Sequence, residues 1–169
     1  PSTMAAILGL EDSIVEQICS ETPGIVVPAN YNCPGQIVIS GDLKSIDLAI
    51  EKLSASGARR AIKLPVGGAF HSPIMESAKS ELENAIKSTE FYPPICPIFQ
   101  NVCAEAVINP QEIKQNLIEQ LTSPVKWTQT MLNIVKETNL EVIEVGPGKV
   151  LQGLFKKIDR SINTSSATI

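Results

Sequence analysis

His71 is the only histidine of the chain, and it lies in the segment VGGAFHSPIM. Two glycines precede it and allow the loop to adopt backbone angles that other residues disfavour. Ser72 and Pro73 follow it and are typical of a helix start, with serine as the cap and proline at the first helical position. The positive end of that helix dipole disfavours the charged imidazolium. A neutral imidazole here could act as a general base; the alternative is a loop histidine without a chemical role.

A general base of this kind needs a hydroxyl or thiol nucleophile to act on. The chain contains no G-x-S-x-G motif, the usual elbow that carries a nucleophilic serine. Cys33, in the segment NYNCPGQ, is a candidate thiol, but no cationic neighbour in the sequence would activate it. Two interpretations stay open: Cys33 pairs with His71 in a thiol hydrolase, or it is a small apolar turn residue.

Two polar pairs are candidate binding residues. Asn30 and Asn32 precede a Pro-Gly turn, and their spacing directs both amides to the same face of an extended segment. They could bind a polar ligand, or asparagine could simply suit the turn. Arg59 and Arg60 form a basic pair, which is either a solvated surface or a means of steering an acidic partner.

The segment GPGKV resembles a phosphate-binding loop only in part. It lacks the G-x-x-x-x-G-K-[ST] frame. A strand-to-helix turn with backbone amides at the helix start explains it sufficiently.

Residues 1–64 alternate between strands and helices in an order that defines a compact unit. Hydrophobic spacing predicts strand, helix, strand, strand, helix and strand, and Gly57 stands where a helix end requires positive φ. This β-α-β-β-α-β order predicts a ferredoxin-like subdomain of about 60 residues. The predicted elements are strand 4–10, helix 11–21, strand 24–30, strand 36–41, a helix opened by Asp42, and strand 59–65.

Residues 65–169 offer four helices but only about two strands, at 95–102 and 140–146. Asn109 and Pro110 mark one helix start clearly, and Ser123 with Pro124 predicts another, for a helix over 123–137. A helix over 73–88 and a last helix after 149 complete the set, and the polar tail 161–169 is expected to fray. Two strands make a marginal sheet, so this half is expected to be the later part of a larger α/β unit whose parallel strands lie elsewhere. The apolar side chains predicted to face the core are Met75, Ala78, Leu82, Ile86, Trp127, Met131, Ile134 and Val135.

Composition excludes several classes of function. The formal net charge of -4 over 169 residues argues against general nucleic-acid binding, which needs a basic face. No apolar run is long enough for a membrane span, and no basic-then-apolar signal segment begins the chain. The four cysteines lack CxxC spacing, so no metal site is expected and free thiols in the cytoplasm are the prediction.

Five segments together resemble the family of malonyl-CoA:acyl-carrier-protein transacylases, the acyltransferases of bacterial fatty acid synthesis. The resemblance extends over essentially the whole chain and implies an α/β fold. A ferredoxin-like small subdomain (1–64) would be followed by the C-terminal portion of an α/β-hydrolase-like large subdomain (65–169). The segments are MAAILGL, NYNCPGQIVISG, GARRAIKLPVGGAFHSPIM, LTSPVKW and EVGPGKVLQGL.

The resemblance implies ping-pong acyl transfer. A serine in a G-H-S-x-G elbow would take malonyl from malonyl-CoA and yield it to the phosphopantetheine thiol of the acyl carrier protein. His71 matches the catalytic histidine, and the backbone carbonyl of Gln120 matches the group that orients it, as the carboxylate does in serine triads. Phe70 matches the bulky residue that excludes a methyl branch. No cofactor is implied, because malonyl-CoA and the carrier protein are substrates.

Binding roles also follow from the resemblance. Asn30 and Asn32 match positions that line the acyl and pantetheine cleft, and Arg59 and Arg60 are candidates for docking the acidic carrier protein. The serine elbow, an oxyanion-hole glutamine and a carboxylate-binding arginine belong to an earlier part of the family pattern. We therefore expect the chain to be a C-terminal portion that is inactive alone and pairs with that missing part. A non-catalytic ferredoxin-like binding module is the alternative.

Overall fold

The computed structural model describes residues 1–136 and 140–167. Glu137, the last residue of the predicted helix 123–137, and residues 168–169 of the predicted tail lie outside the described part. The elements in chain order are β1 (Ser2–Leu8), α1 (Asp12–Ser20), β2 (Val26–Cys33), β3 (Gln36–Asp42), α2 (Leu43–Ala55), β4 (Arg60–Lys63), a 3-10 helix (Pro73–Met75), α3 (Glu76–Ser88), β5 (Ile98–Phe99), β6 (Ala106–Val107), α4 (Pro110–Gln120), α5 (Trp127–Ile134), β7 (Val142–Glu144), α6 (Val150–Ile158) and β8 (Thr164–Ser166).

The first four strands form one antiparallel sheet in the order β2-β3-β1-β4. Ala5 of β1 pairs with Ile39 on one side and with Lys63 on the other. Because side chains alternate between the two faces of a strand, each strand presents apolar residues to α1 and α2. The buried residues of this core are Ala5, Ile7, Leu10, Val15, Ile18, Cys19, Val26, Tyr31, Ile37, Ile39, Ile46, Ala49 and Leu53.

The opposite face of the sheet carries a smaller apolar cluster. Met4, Ala29 and Val38 are buried there, and the chain that leaves β4 packs against them through Leu64. The Leu64 amide donates to the Met4 carbonyl at 2.9 Å. The segment that leads to His71 is thereby attached to this second face.

Local turn and cap predictions are confirmed at two helix ends. Gly57 has φ 96° after α2, a conformation that glycine adopts without a Cβ penalty. The Asn109 Oδ1 accepts from the Gln111 and Glu112 amides at 2.9 and 3.4 Å, which caps α4 as expected. Both features are set by residues within a few positions along the chain, so local sequence is sufficient to predict them.

The prediction that the polar tail frays is wrong for residues 164–166, which form β8. β8 pairs in parallel with β7, so β7 has one parallel neighbour inside this chain. The Gln152 Nε2 of α6 also donates to the Ser166 Oγ at 2.8 Å. Strand pairing satisfies backbone groups whatever the side-chain polarity, which is why polarity alone was misleading here.

The predicted start of α5 is also wrong. Ser123 and Pro124 do not cap it, and the helix begins at Trp127. The intervening Val125 forms a parallel bridge with Asn30 of β2, because its amide donates to the Ala29 carbonyl at 2.8 Å. Extended pairing with the sheet therefore prevails over the local helix-start pattern.

The predicted apolar stripes of the later helices are only partly buried. Met131 is buried in α5, whereas Trp127, Ile134 and Val135 are half-buried. The stripe of the 73–88 segment has no buried member, and its first three residues form a 3-10 helix rather than α-helix. The predicted strand 95–102 is reduced to β5, which pairs with β6. No helix within residues 1–136 and 140–167 has the length and hydropathy required to cross a bilayer.

Candidate active site

His71 is held in an unusual backbone conformation with φ 58°. This left-handed region costs a residue with a Cβ about 1–2 kcal/mol. Neither Gly67 nor Gly68 has positive φ. The left-handed conformation that we expected at these glycines is adopted by His71 instead. A Cβ at Gly68 would instead lie 3.3 Å from the Phe70 Cζ, so this glycine makes room for the ring.

Ser72 fixes the loop around His71. It is fully buried, and its Oγ donates to the Ala69 carbonyl at 2.6 Å and accepts from the Ile74 amide at 3.3 Å. The predicted capping serine is thus present, at the start of the 3-10 helix. The two hydrogen bonds offset part of the strain at His71.

The imidazole of His71 contacts a helix end. Its Nδ1 lies 3.1 Å from the carbonyl oxygen of Gln120, the last residue of α4. Terminal helix carbonyls have no partner in the next turn of the helix, so this oxygen is available to accept. A carbonyl can only accept, so Nδ1 must donate, which leaves the Nε2 lone pair free in the neutral ring.

His71 lines a cleft of about 360 Å³ between the second face of the sheet and the loop that follows β4. Asn30 and Asn32 lie on the same cleft wall, as their spacing predicted, although β2 extends to Cys33 rather than ending at Asn30. Phe70 also lines the cleft and is 44% exposed. The structure therefore brings together an imidazole, two amides and an aromatic ring.

Three apolar cleft residues were missed by sequence reasoning. Met4, Val38 and Leu64 form the apolar floor beside His71. In β1 the alternation of the strand puts Met4 on the face opposite to Ala5. That alternation was the available signal. An apolar side chain on the second face of a sheet indicates that another segment packs against that face.

The cleft wall is tied to the base-bearing part of the chain by the segment between α4 and α5. The Tyr31 amide donates to the Val125 carbonyl at 2.9 Å, and the Thr128 Oγ1 donates to the Tyr31 carbonyl at 3.0 Å. Tyr31, which makes both bonds, lies between Asn30 and Asn32 on β2. The segment that follows the Gln120 carbonyl is thus hydrogen-bonded to β2, the strand that carries Asn30 and Asn32.

Cys33 does not meet His71. Its side chain is buried, its Sγ contacts the Gln36 Oε1 at 3.6 Å, and it is not among the residues that line the cleft. Burial raises the pKa of the Cys33 thiol, although nearby Lys157 opposes this. A buried, protonated thiol is a poor nucleophile, so the thiol-hydrolase interpretation is wrong and the small-residue interpretation describes Cys33.

Arg59 and Arg60 are exposed and do not line the cleft. Arg60 begins β4, opposite Leu8 of β1. At about 3.3 Å per residue, the strand carries the chain roughly 13 Å from Arg60 to the cleft residue Leu64. The basic pair therefore lies on the surface at a distance from His71.

The GPGK turn holds a carboxylate in place of a phosphate. The Glu144 carboxylate accepts from the Leu151 and Gln152 amides at 3.1 Å each, at the start of α6. Burial raises the pKa of the Glu144 carboxyl, but the amides of Gln152 and Leu151 outweigh it and lower the pKa overall. The anion position of this helix is occupied by the chain itself, so a phosphate loop is excluded. Across the described ranges, no three His, Cys, Asp or Glu residues are grouped to hold a metal ion.

Comparison with known proteins identifies a family. The model of the acyl transferase domain matches residues 1–169. A relative in Bacillus subtilis, a malonyl CoA-acyl carrier protein transacylase, is 42% identical over 164 residues, which are 95% of this chain and 52% of the relative. The chain spans about half the length of the curated relatives it matches.

Solved structures agree with this result. An acyl carrier protein S-malonyltransferase from Vibrio cholerae superposes with a TM-score of 0.95 at 37% identity, over 99% of this chain and 55% of that one. A type II PKS acyl-carrier protein in complex with its malonyl-transacylase gives a TM-score of 0.91 at 34% identity, over 99% and 54%. The mixed α/β architecture is that of these enzymes. Because the family model matches all 169 residues of the chain, the chain belongs to the acyl transferase domain family.

Proposed function

We propose that this chain is the base-carrying portion of a malonyl-CoA:acyl-carrier-protein transacylase. The observation that carries the proposal is the 3.1 Å contact between the His71 Nδ1 and the Gln120 carbonyl, at the edge of a cleft lined by two amides. The relatives in Bacillus subtilis and Staphylococcus aureus are malonyl CoA-acyl carrier protein transacylases, and their reaction is the one proposed here.

The His71 Nε2 accepts the proton of a serine hydroxyl supplied by a segment outside these residues. The serine oxygen attacks the malonyl thioester carbonyl, the carbon–sulfur bond breaks, and the imidazolium returns the proton to the coenzyme A thiolate. In the second half-reaction the imidazole deprotonates the phosphopantetheine thiol of the carrier protein. The sulfur of the carrier-protein arm attacks the malonyl-serine ester, the ester carbon–oxygen bond breaks, and the imidazolium returns the proton to the serine oxygen.

The Gln120 carbonyl orients the imidazole, as the carboxylate does in serine triads. It accepts from Nδ1–H, which keeps Nε2 free for the reacting proton. It lies at the C-terminal, negative end of α4, so it also stabilises the positive charge that the ring gains in each half-reaction.

Asn30 and Asn32 bind the amide-rich pantetheine arm or the acyl group, and Phe70 limits the space beside the α-carbon of the acyl group. Both substrates, coenzyme A thioester and carrier-protein thioester, share that arm, so one cleft serves both half-reactions. Neither a cofactor nor a metal is needed for acyl transfer between a hydroxyl and a thiol. The reaction belongs to the cytoplasm, where fatty acid precursors are made.

We also propose a division into a ferredoxin-like subdomain, residues 1–64, and a portion of an α/β-hydrolase-like subdomain, residues 65–169. The support is the strand order β2-β3-β1-β4 with one helix after β1 and another after β3. Arg59 and Arg60 dock the acidic carrier protein. Their distance from the cleft suits a partner that reaches the site through a long flexible arm.

The experiment that tests the proposal is His71→Ala in the full-length enzyme that contains this chain. We expect malonyl transfer to fall by about 10²–10⁴-fold, because general-base catalysis contributes about that factor. Ser77→Ala, an exposed change in α3, is the matched control. Near-normal turnover in His71→Ala would rule out His71 as the base.

Phe70→Ser tests the selection of the acyl group. Removing the ring makes room for a methyl branch, so the ratio of methylmalonyl to malonyl transfer should rise by about tenfold, the scale on which an apolar pocket discriminates one methyl group. Transfer of each thioester to the carrier protein measures the ratio. Phe91→Ser, at a ring that contacts Lys114 rather than the cleft, is the control, and an unchanged ratio in Phe70→Ser would reject steric selection.

A further inference from the structure

The side chain of Gln120 is fixed as firmly as its carbonyl. Its Nε2 donates to the Ser123 carbonyl at 3.0 Å and to the Pro124 carbonyl at 3.4 Å. The Gln120 carbonyl also accepts from the Ser123 amide at 3.4 Å, besides its contact with His71. One residue therefore closes the turn after α4 from both its backbone and its side chain.

The conformation of this turn decides where the Gln120 carbonyl points. Because the helix ends at this residue, no regular helical hydrogen bond holds the peptide group, and the Ser123 amide holds the carbonyl only through a long bond of 3.4 Å. The side-chain amide restricts rotation of this peptide group, because it donates to the carbonyls of Ser123 and Pro124 in the turn that follows. Beyond Pro124 the chain is fixed again, since Val125 bonds to Ala29 and Tyr31 of β2 at 2.8 and 2.9 Å.

We propose that the side-chain amide of Gln120 is a positioning group that holds its own backbone carbonyl on the His71 Nδ1 and so selects the Nδ1–H tautomer of the ring. The inference rests on the proposed function for its catalytic meaning, but the tautomer itself is a property of the chain. A side chain that only braced the turn would contribute to stability and would leave the tautomer ratio unchanged.

The test uses nitrogen-15 NMR of the imidazole. In the full-length enzyme the His71 signals are those that are missing from the spectrum of His71→Ala, and their shifts at alkaline pH report the Nδ1–H to Nε2–H ratio. In the unmodified protein we expect Nδ1–H to predominate. Gln120→Met keeps the length and shape of the side chain without its donors, and should lower the ratio by about threefold to tenfold, the equilibrium factor of one hydrogen bond.

Gln115→Met is the matched control. Gln115 lies in the same helix, and its Nε2 donates only to the exposed carboxylate of Glu119, at 2.8 Å. The ratio should stay as in the unmodified protein. Gln120→Asn keeps an amide but withdraws it from both carbonyls, so it should lower the ratio as Gln120→Met does.

The outcomes separate this inference from the proposed function. An unmodified protein without Nδ1–H predominance would contradict the proposed base geometry and this inference together. Predominance that persists in folded Gln120→Met would overturn the inference alone. If Gln120→Met does not fold, Gln120→Asn decides by the same criterion. If neither variant folds, the amide is a general folding element and the positioning role is rejected.

Discussion

The two regions that meet at the cleft are stabilised in different ways. Residues 2–63, the sheet region, bury thirteen core residues between one face of the sheet and two helices. Residues 73–166, the helical region, bury single residues such as Phe155 but show no comparable cluster in their described part. His71 belongs to the segment between these regions, and the Gln120 carbonyl that it contacts belongs to the helical region.

The difference has a consequence for the site. The cleft wall with Asn30 and Asn32 is part of a strand in a closed core, whereas the Gln120 carbonyl is at the end of a helix with much less buried surface around it. Precise placement of the acceptor therefore depends on individual hydrogen bonds, such as those of Gln120 and Thr128. We expect substitutions in the two regions to differ in the same way.

The largest difference should come from a matched pair of leucines. Leu53 in α2 is 0% exposed and Leu82 in α3 is 40% exposed. Leu53→Ala should lower the free energy of unfolding by about 2–5 kcal/mol, because it opens a cavity in the closed core. Leu82→Ala should change it by less than about 0.5 kcal/mol. Urea denaturation followed by circular dichroism measures both, and equal losses would mean that the two regions are buried alike.

A smaller effect is expected at the contact between the regions. Thr128→Val removes the hydroxyl that donates to the Tyr31 carbonyl, and should cost about 1–3 kcal/mol because both groups are buried. Faster hydrogen exchange at the Tyr31 amide is the measurement. Thr130→Val is the control, since that buried hydroxyl donates to the Lys126 carbonyl within its own segment. Equal exchange rates of the Tyr31 amide in both variants would show that the Thr128 hydroxyl does not stabilise the contact between the two regions.

The smallest effect concerns acid. Asp42 caps α2 and accepts from the Ser45 hydroxyl, the Ser45 amide and the Ile25 amide; these bonds lower its pKa from 3.8 to about 2. A pKa that is lower in the folded state gives stability that is present above the unfolded value and lost as pH falls toward about 2. The corresponding cap of α4, Asn109, does not titrate. The cap of α2 should therefore lose this contribution in acid, whereas the cap of α4 should not.

Asp42→Asn measures that contribution, because it keeps a capping side chain and removes the charge. The urea midpoint of the unmodified protein should exceed that of the variant at about pH 7, and the gap should narrow at about pH 2.5. A gap that stays constant between these values would show that the Asp42 carboxylate adds nothing beyond its neutral replacement.

Sequence reasoning succeeded where neighbours along the chain decide the structure. Gly57 and Asn109 were predictable because a cap or a turn depends on residues within one helical turn. The alternation of strands and helices over residues 2–63 followed from hydrophobic periodicity. His71 stood out because it is the only residue of its type and lies at a loop-to-helix junction.

It failed where two distant segments compete for the same backbone groups. Val125 is strand-like because β2 offers it two hydrogen bonds, although Ser123 and Pro124 form a good helix start. The tail pairs with β7 in the same way. Neither partner is visible in a local window, because pairing depends on backbone groups that every residue has. The position of Gln120 came from resemblance, since a backbone carbonyl has no sequence signal.

The sequence by itself therefore determined the order of elements in the sheet region, the capped helix ends, and the choice of His71 and the two asparagines as candidates. Only the tertiary structure decided that the Gln120 carbonyl meets the imidazole, that Cys33 is buried away from it, and that Met4 and Leu64 floor the cleft. The physical reason is the distance along the chain over which each effect acts. Periodicity and capping act over a few residues, whereas the cleft is assembled from segments up to about 100 positions apart, brought together by backbone pairing and burial.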